Sequence, residues 1–192
     1  MKKGFSTLLL LSALSLTGCI KDKLINLADI TFTQPYSAEV TLPATSTTAD
    51  SLAPLPVPGG SAALPAFAYT FPVDLAQQLK DNNSSLDKLV AVKLDGFTMV
   101  PLLPAGRNLD FINSIELKLS APGMQEISVA NKKPFPKGAS NVSLDVSDAS
   151  LKDYFLKDSV TVRILADVNA VPPAGTKIRF DSKFKITANP LK

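Results

Sequence analysis

A two-residue rhythm of apolar and polar side chains governs the second half of this 192-residue chain. Val160, Val162, Ile164 and Ala166 alternate with Thr161, Arg163 and Asp167, and Ile178, Phe180, Phe184 and Ile186 oppose Lys177, Arg179, Lys183 and Lys185. Successive side chains of a β-strand point to opposite faces, so each run has one dry face and one wet face. Ile115, Leu117 and Leu119, spaced by Glu116 and Lys118, repeat the pattern. Ala121-Pro122-Gly123-Met124 then reads as a turn with proline at its second position, and Ile127 and Val129 belong to the returning strand. Sheets with a single apolar face bury it against one another. The expected fold is mainly β, an antiparallel two-sheet β-sandwich with two short helices.

The remaining segments fit that frame. Residues 30–42 read as a first strand in which Pro35 marks an edge or a break, because proline cannot donate to a ladder. Pro43, Pro54, Pro56, Pro58 and Pro65 then punctuate a Pro-rich loop at 43–65 that cannot pair as a central strand. It is read either as a flexible insertion or as a ligand-contacting loop. Residues 66–71 resume a strand with Phe67, Tyr69 and Phe71 on one side. Leu75 and Leu79 have helical spacing within 73–80, Asp81-Asn82-Asn83 favours a turn, and Ser84 or Ser85 can cap a further turn through Leu89.

Residues 89–100 are strand-like, yet Val90, Val92 and Leu94 have one parity and Phe97 and Met99 the other. Asp95-Gly96 sits at the change of phase, as a hairpin turn or as a bulge in one long strand; the bulge is preferred, since a hairpin would leave two very short arms. A loop is expected over 101–108, and one helical turn at Leu109-Asp110-Phe111-Ile112 that plugs the core. Residues 132–139 form a Pro-bearing loop, and Val142, Leu144 and Val146 another strand. Ser147 or Asp148 can cap a helix through Lys157 that turns Leu151, Tyr154 and Phe155 inward. The Pro172-Pro173-Ala174-Gly175 loop leads to the last strand.

The single cysteine, Cys19, lies at the end of a different kind of segment. Lys2 and Lys3 precede a mostly apolar run from Phe5 to Leu16. That run is a dozen residues or so, well short of the roughly 20 that cross a bilayer as a helix, and it suits an export signal. Leu16-Thr17-Gly18-Cys19 resembles the lipobox of bacterial lipoproteins. The resemblance implies a lipoprotein signal peptide at 1–18, a lipidated N-terminal tether at 19–29 beginning with a diacylglyceryl group on Cys19, and a single β-sandwich domain at 30–192. Ile20 follows the cysteine where Asp is the inner-membrane retention signal of enterobacterial lipoproteins, which implies the outer membrane. The chain from Leu109-Asp110-Phe111-Ile112 onward is also similar to the body of some uncharacterised bacterial lipoproteins, a similarity that implies no activity and no site residues.

Without residues 1–18 the chain carries 18 basic and 17 acidic residues, a net charge of +1, which gives no footing for nucleic-acid binding. There is no histidine, and with Cys19 committed to lipid no thiol remains. Zinc sites of His and Cys, and Ser-His-Asp or Cys-His catalysis, are thereby excluded. Asp145, Asp148, Asp153 and Asp158 cluster without the Gly and the alternating ligands of a calcium loop, so capping and solvation account for them. No glycine run cradles a phosphate, and the aromatic residues are mostly Phe with no Trp, which suits a core. No metal, cofactor or catalytic residue is expected.

The one distinctive surface feature is the stripe Lys177, Arg179, Lys183 and Lys185, which can meet lipid phosphates or an acidic partner, or can simply be a solvated face whose charges guard a sheet edge. The expectation is a lipid-anchored lipoprotein of the cell envelope, held to the periplasm-facing side of the outer membrane through Cys19, acting as a non-catalytic binding or structural accessory to an envelope protein or lipid. The alternative is a carrier of an apolar ligand or lipid between the sheets, marked by an elongated apolar cavity. A hydrolase without histidine would need a cleft with converging carboxylates or a Ser-Lys contact.

Overall fold

Period-two alternation is realised as long strands. The computed structural model describes residues 29–42, 55–56, 58–64, 66–103, 105, 108–172 and 175–191; Cys19, the signal segment and most of the tether lie outside them. In chain order come β1 (Ile30–Thr41), β2 (Leu55–Pro56), β3 (Ala62–Ala63), β4 (Phe67–Pro72), helix α1 (Leu75–Asp81) and a short 3-10 turn at Leu86–Lys88. There follow β5 (Leu89–Leu103), β6 (Ile112–Ser120), β7 (Ile127–Lys132), β8 (Val142–Ser143), β9 (Asp145–Val146), helix α2 (Lys152–Phe155), β10 (Ser159–Val168), β11 (Ala170–Val171) and β12 (Lys177–Ala188).

Two antiparallel sheets carry the fold. The first has the order β1-β12-β5-β8; the second runs β3-β10-β6-β7-β9, with β4 also paired to β10. Their inner faces meet in one core that includes Met99, Leu117, Leu119, Phe155, Phe184 and Ile186, all nearly inaccessible to solvent. Over the described residues the chain is thus mainly β, a sandwich of two antiparallel sheets with two short α-helices, and the long strands are those that its alternation predicts. Pro35 lies in β1 at the edge of the first sheet, where a missing N–H breaks no interior ladder.

Asp95-Gly96 is a bulge in one strand. Lys183 of β12 faces Gly96 while the next residue, Phe184, faces Leu94, so Asp95 has no opposite number. The extra residue resets the phase, and Val92, Leu94, Phe97 and Met99 are all buried despite their mixed parity. The β6–β7 hairpin closes through Ala121–Met124, with the Met124 amide donating to the Ala121 carbonyl at 2.9 Å. Gly123 takes φ 74° at the third position, as a type II turn requires.

Four expectations are corrected. Of the 43–65 stretch, residues 43–54, 57 and 65 lie outside the described residues, and the rest is not loop throughout: Leu55–Pro56 pairs with β11 and Ala62–Ala63 with the end of β10, short ladders that a Pro-rich segment can make at an edge. β5 continues through Pro101 to Leu103 because β12 is long enough to pair with it. Leu109–Ile112 is a hydrogen-bonded turn into β6, with the Ile112 amide on the Leu109 carbonyl at 2.9 Å; Leu109, Phe111 and Ile112 do plug the core.

The fourth concerns residues 142–157. Val142–Val146 is two strands in different sheets, β8 on β5 and β9 on β7. The helix expected from Ser147 begins only at Lys152, since the intervening backbone is spent on bridging the layers. The Ser147 amide donates to Val129 of β7, and the Leu151 amide to Val92 of β5, each at 2.8 Å. Leu151, Tyr154 and Phe155 face inward as expected.

Candidate functional site

The cationic stripe lies on the outer face of β12, which runs between β1 and β5. It therefore lies inside the sheet and guards no edge, which removes the edge-guarding reading and leaves these residues on a solvated outer face. Odd-numbered side chains from Lys177 to Lys185 point away from the core because Ile178, Phe180, Phe184 and Ile186 point into it.

Pairing splits the stripe into two unlike halves. In the first half Lys177 forms an ion pair with Glu39 of β1, and Arg179 Nε donates to Asp181 Oδ2 at 3.0 Å. Ser37 Oγ donates to the other Asp181 oxygen at 2.7 Å. Burial pushes the Asp181 carboxyl up, but the Ser37 hydroxyl and the Arg179 guanidinium together outweigh it and hold the group below the ordinary carboxylate value. This half is a neutral strap across β1 and β12.

In the second half Lys183 and Lys185 are exposed and have no ion-pair partner among the described residues. Lys185 sits directly opposite Lys93 of β5. Like charges facing across an antiparallel pair are unfavourable, so this end of the face keeps a local concentration of positive charge. Lys93 reaches Asp148 at 3.4 Å, and Asp95 stands on the bulge beside Lys183. Lys93 escaped the sequence reading because its membership depends on which strand lies beside β12, and alternation along a strand carries no signal of that.

Among the described residues the gaps between the sheets are narrow. One narrow gap of about 30 Å³ is lined by Tyr36, Phe67, Tyr69, Phe71, Phe97 and Phe180, and another of about 30 Å³ by Val40, Met99, Phe111, Ile115 and Ile178 among others. Each has space for a water or two, against the few hundred Å³ of a small-molecule pocket. A larger depression of about 520 Å³ is open and shallow, on the outer face of the second sheet. Its Glu116 and Asp167 are engaged locally: Asp167 accepts from Ser61 Oγ at 2.6 Å, and Glu116 lies 3.9 Å from Lys118.

The sequence cluster of aspartates is dispersed. Asp145 pairs with Lys132 at 2.8 Å, and Asp148 with Lys93; neither caps a helix. Among the described residues no group of three acidic or sulfur ligands is placed to hold a metal, and no helix is long and apolar enough to cross a membrane. No protein-family model matches the chain, and a search of curated proteins finds no relative.

Proposed function

We infer that this chain is a lipid-anchored lipoprotein of the outer membrane whose sandwich works as a non-catalytic binding or structural accessory in the cell envelope. The observation that carries the reading is Leu16-Thr17-Gly18-Cys19 at the end of an apolar run opened by Lys2 and Lys3. Two or three acyl chains at Cys19 anchor firmly, since each buried methylene contributes about 0.8 kcal/mol. Ile20 after the cysteine supports the outer membrane. The domain then holds one rigid face within the tether's reach of the bilayer. Gaps of about 30 Å³ between the sheets support the accessory role over the alternative of an apolar-ligand carrier, which needs a cavity along the core.

Metabolic labelling with an alkynyl fatty acid tests the anchor. The unaltered chain should take up label, and Cys19→Ala should take up none and remain unprocessed. Equal labelling of the two rejects the reading.

A further inference from the structure

We propose that Lys93, Lys183 and Lys185 form a contact site for anionic phospholipid headgroups, so that the outer face of the first sheet lies against the bilayer. The proposal rests on the anchor reading for its orientation, and on three observations of the fold for its chemistry.

The first is the charge asymmetry of that face. Glu39 and Asp181 neutralise Lys177 and Arg179, whereas Lys183 and Lys185 carry no ion pair among the described residues and Lys185 faces Lys93. A phosphate between opposed ammonium groups relieves their repulsion. Asp95 and Asp148 moderate the excess, so the attraction adds to an acyl anchor and does not replace one.

The second is position. Ile30 pairs with Ala188, Thr33 with Lys185 and Pro35 with Lys183. The lysines therefore lie about 10 to 17 Å along the strands from where the tether joins β1, while the neutral half of the face is at the far end. The third is reach. The ten residues from Ile20 to Asp29 span at most about 35 Å, so an acyl group at Cys19 keeps the start of β1 within that distance of the bilayer, and the charge of the face then decides which side turns to it. Each lysine without an ion pair near an anionic surface contributes about fivefold in partitioning, so Lys183 and Lys185 contribute at most about twenty-fivefold, which Asp95 reduces.

The test uses the full chain as recovered from cells and a headgroup-linked quencher in vesicles of phosphatidylglycerol with phosphatidylcholine. Thr33→Cys places a fluorophore beside Lys185 on the outer face of the first sheet; Ser128→Cys places one on the exposed side of β7 in the second. Quenching should be several-fold greater at position 33, as only that face meets headgroups. The excess should vanish in pure phosphatidylcholine, in 1 M salt, where screening falls to about 3 Å, and in the Lys93→Glu/Lys183→Glu/Lys185→Glu variant with unchanged circular dichroism. The salt arm needs no substitution at the lysines and keeps the test decisive if the triple variant misfolds. Equal quenching at the two positions, or an excess that survives in phosphatidylcholine, overturns the proposal and leaves the face to a protein partner. A free thiol at Cys19 sinks the anchor reading separately; the two labels in a Cys19→Ser background, with the chain added to vesicles, then still show salt-sensitive contact at position 33 or refute it.

Discussion

The two flanks of the sandwich are closed by different forces. On one flank the backbone itself crosses between layers: β8 pairs with β5, the Leu144 amide donates to Phe97 at 2.9 Å, β9 pairs with β7, and the amides of Ser147 and Leu151 return to opposite sheets. On the other flank the edge strands β1 and β4 face each other through rings. Tyr36 and Phe71 lie 4.5 Å apart, Phe67 stacks on Phe180 at 6.4 Å, and Tyr69 stands at the rim, 42% exposed. Hydrogen bonds bridging the layers are directional and fix the spacing of the sheets, while aromatic contacts exclude water without fixing register. The first flank should be the stiffer, and the second the one through which the core is reached.

Phe184 gives the hardest test, because it joins the two flanks. Its ring lies 4.7 Å from Phe155 of α2, 5.8 Å from Tyr36 and 6.3 Å from Phe71, and it is 1% exposed. Phe184→Ala should cost about 3 to 5 kcal/mol in chemical denaturation. A loss under about half a kcal/mol, the range of surface changes, would mean that the flanks do not share a core.

Tyr69→Ala should have a much smaller effect, about 1 kcal/mol or less, given its exposure and its stacking on Phe71 at 6.1 Å. Its sharper consequence is local. Amide exchange should quicken in β4 while Ser147 and Leu151 stay protected, and matched acceleration on both flanks would erase the contrast.

The smallest effect is expected at the strap that holds the edge of β1 outside the ring cluster. Asp181 has a lowered pKa in the folded chain, so the unfolded chain binds its proton more readily. Its contribution is therefore complete above the ordinary aspartate value of 3.8 and is lost as pH falls through the lower folded value. Acid titrations of stability for Asp181→Asn should show a slightly flatter limb below that value. The change is small because Arg179 and Asp181 are both more than a third exposed and well screened. An unaltered acid limb would show that the Asp181 carboxylate adds nothing to the hold on β1.

The candidate face was legible only in part. Lys177, Arg179, Lys183 and Lys185 are recognisable as one stripe because strand alternation is local, and the core positions opposite them are recognisable for the same reason. Their division into a neutral half and a cationic half depends on Glu39, which is 138 positions before Lys177 in the chain, and on Lys93 in β5. Neither neighbour is encoded in the spacing of β12.

The sequence by itself determined which face of β6, β10 and β12 is dry, the change of parity at Asp95-Gly96, and the hairpin turn at Ala121–Met124 through proline followed by glycine; that the parity change is a bulge and not a turn was decided by the pairing of β5 with β12. The dry faces, the parity change and the turn are consequences of backbone stereochemistry within a few residues. Tertiary structure alone decided that β12 is central and not an edge, that Val142–Val146 divides between two sheets, and that the helix before β10 shrinks to Lys152–Phe155. Strand order and sheet switching are set by contacts between segments far apart in the chain, and a period of two says which way a side chain points without saying what lies beside it.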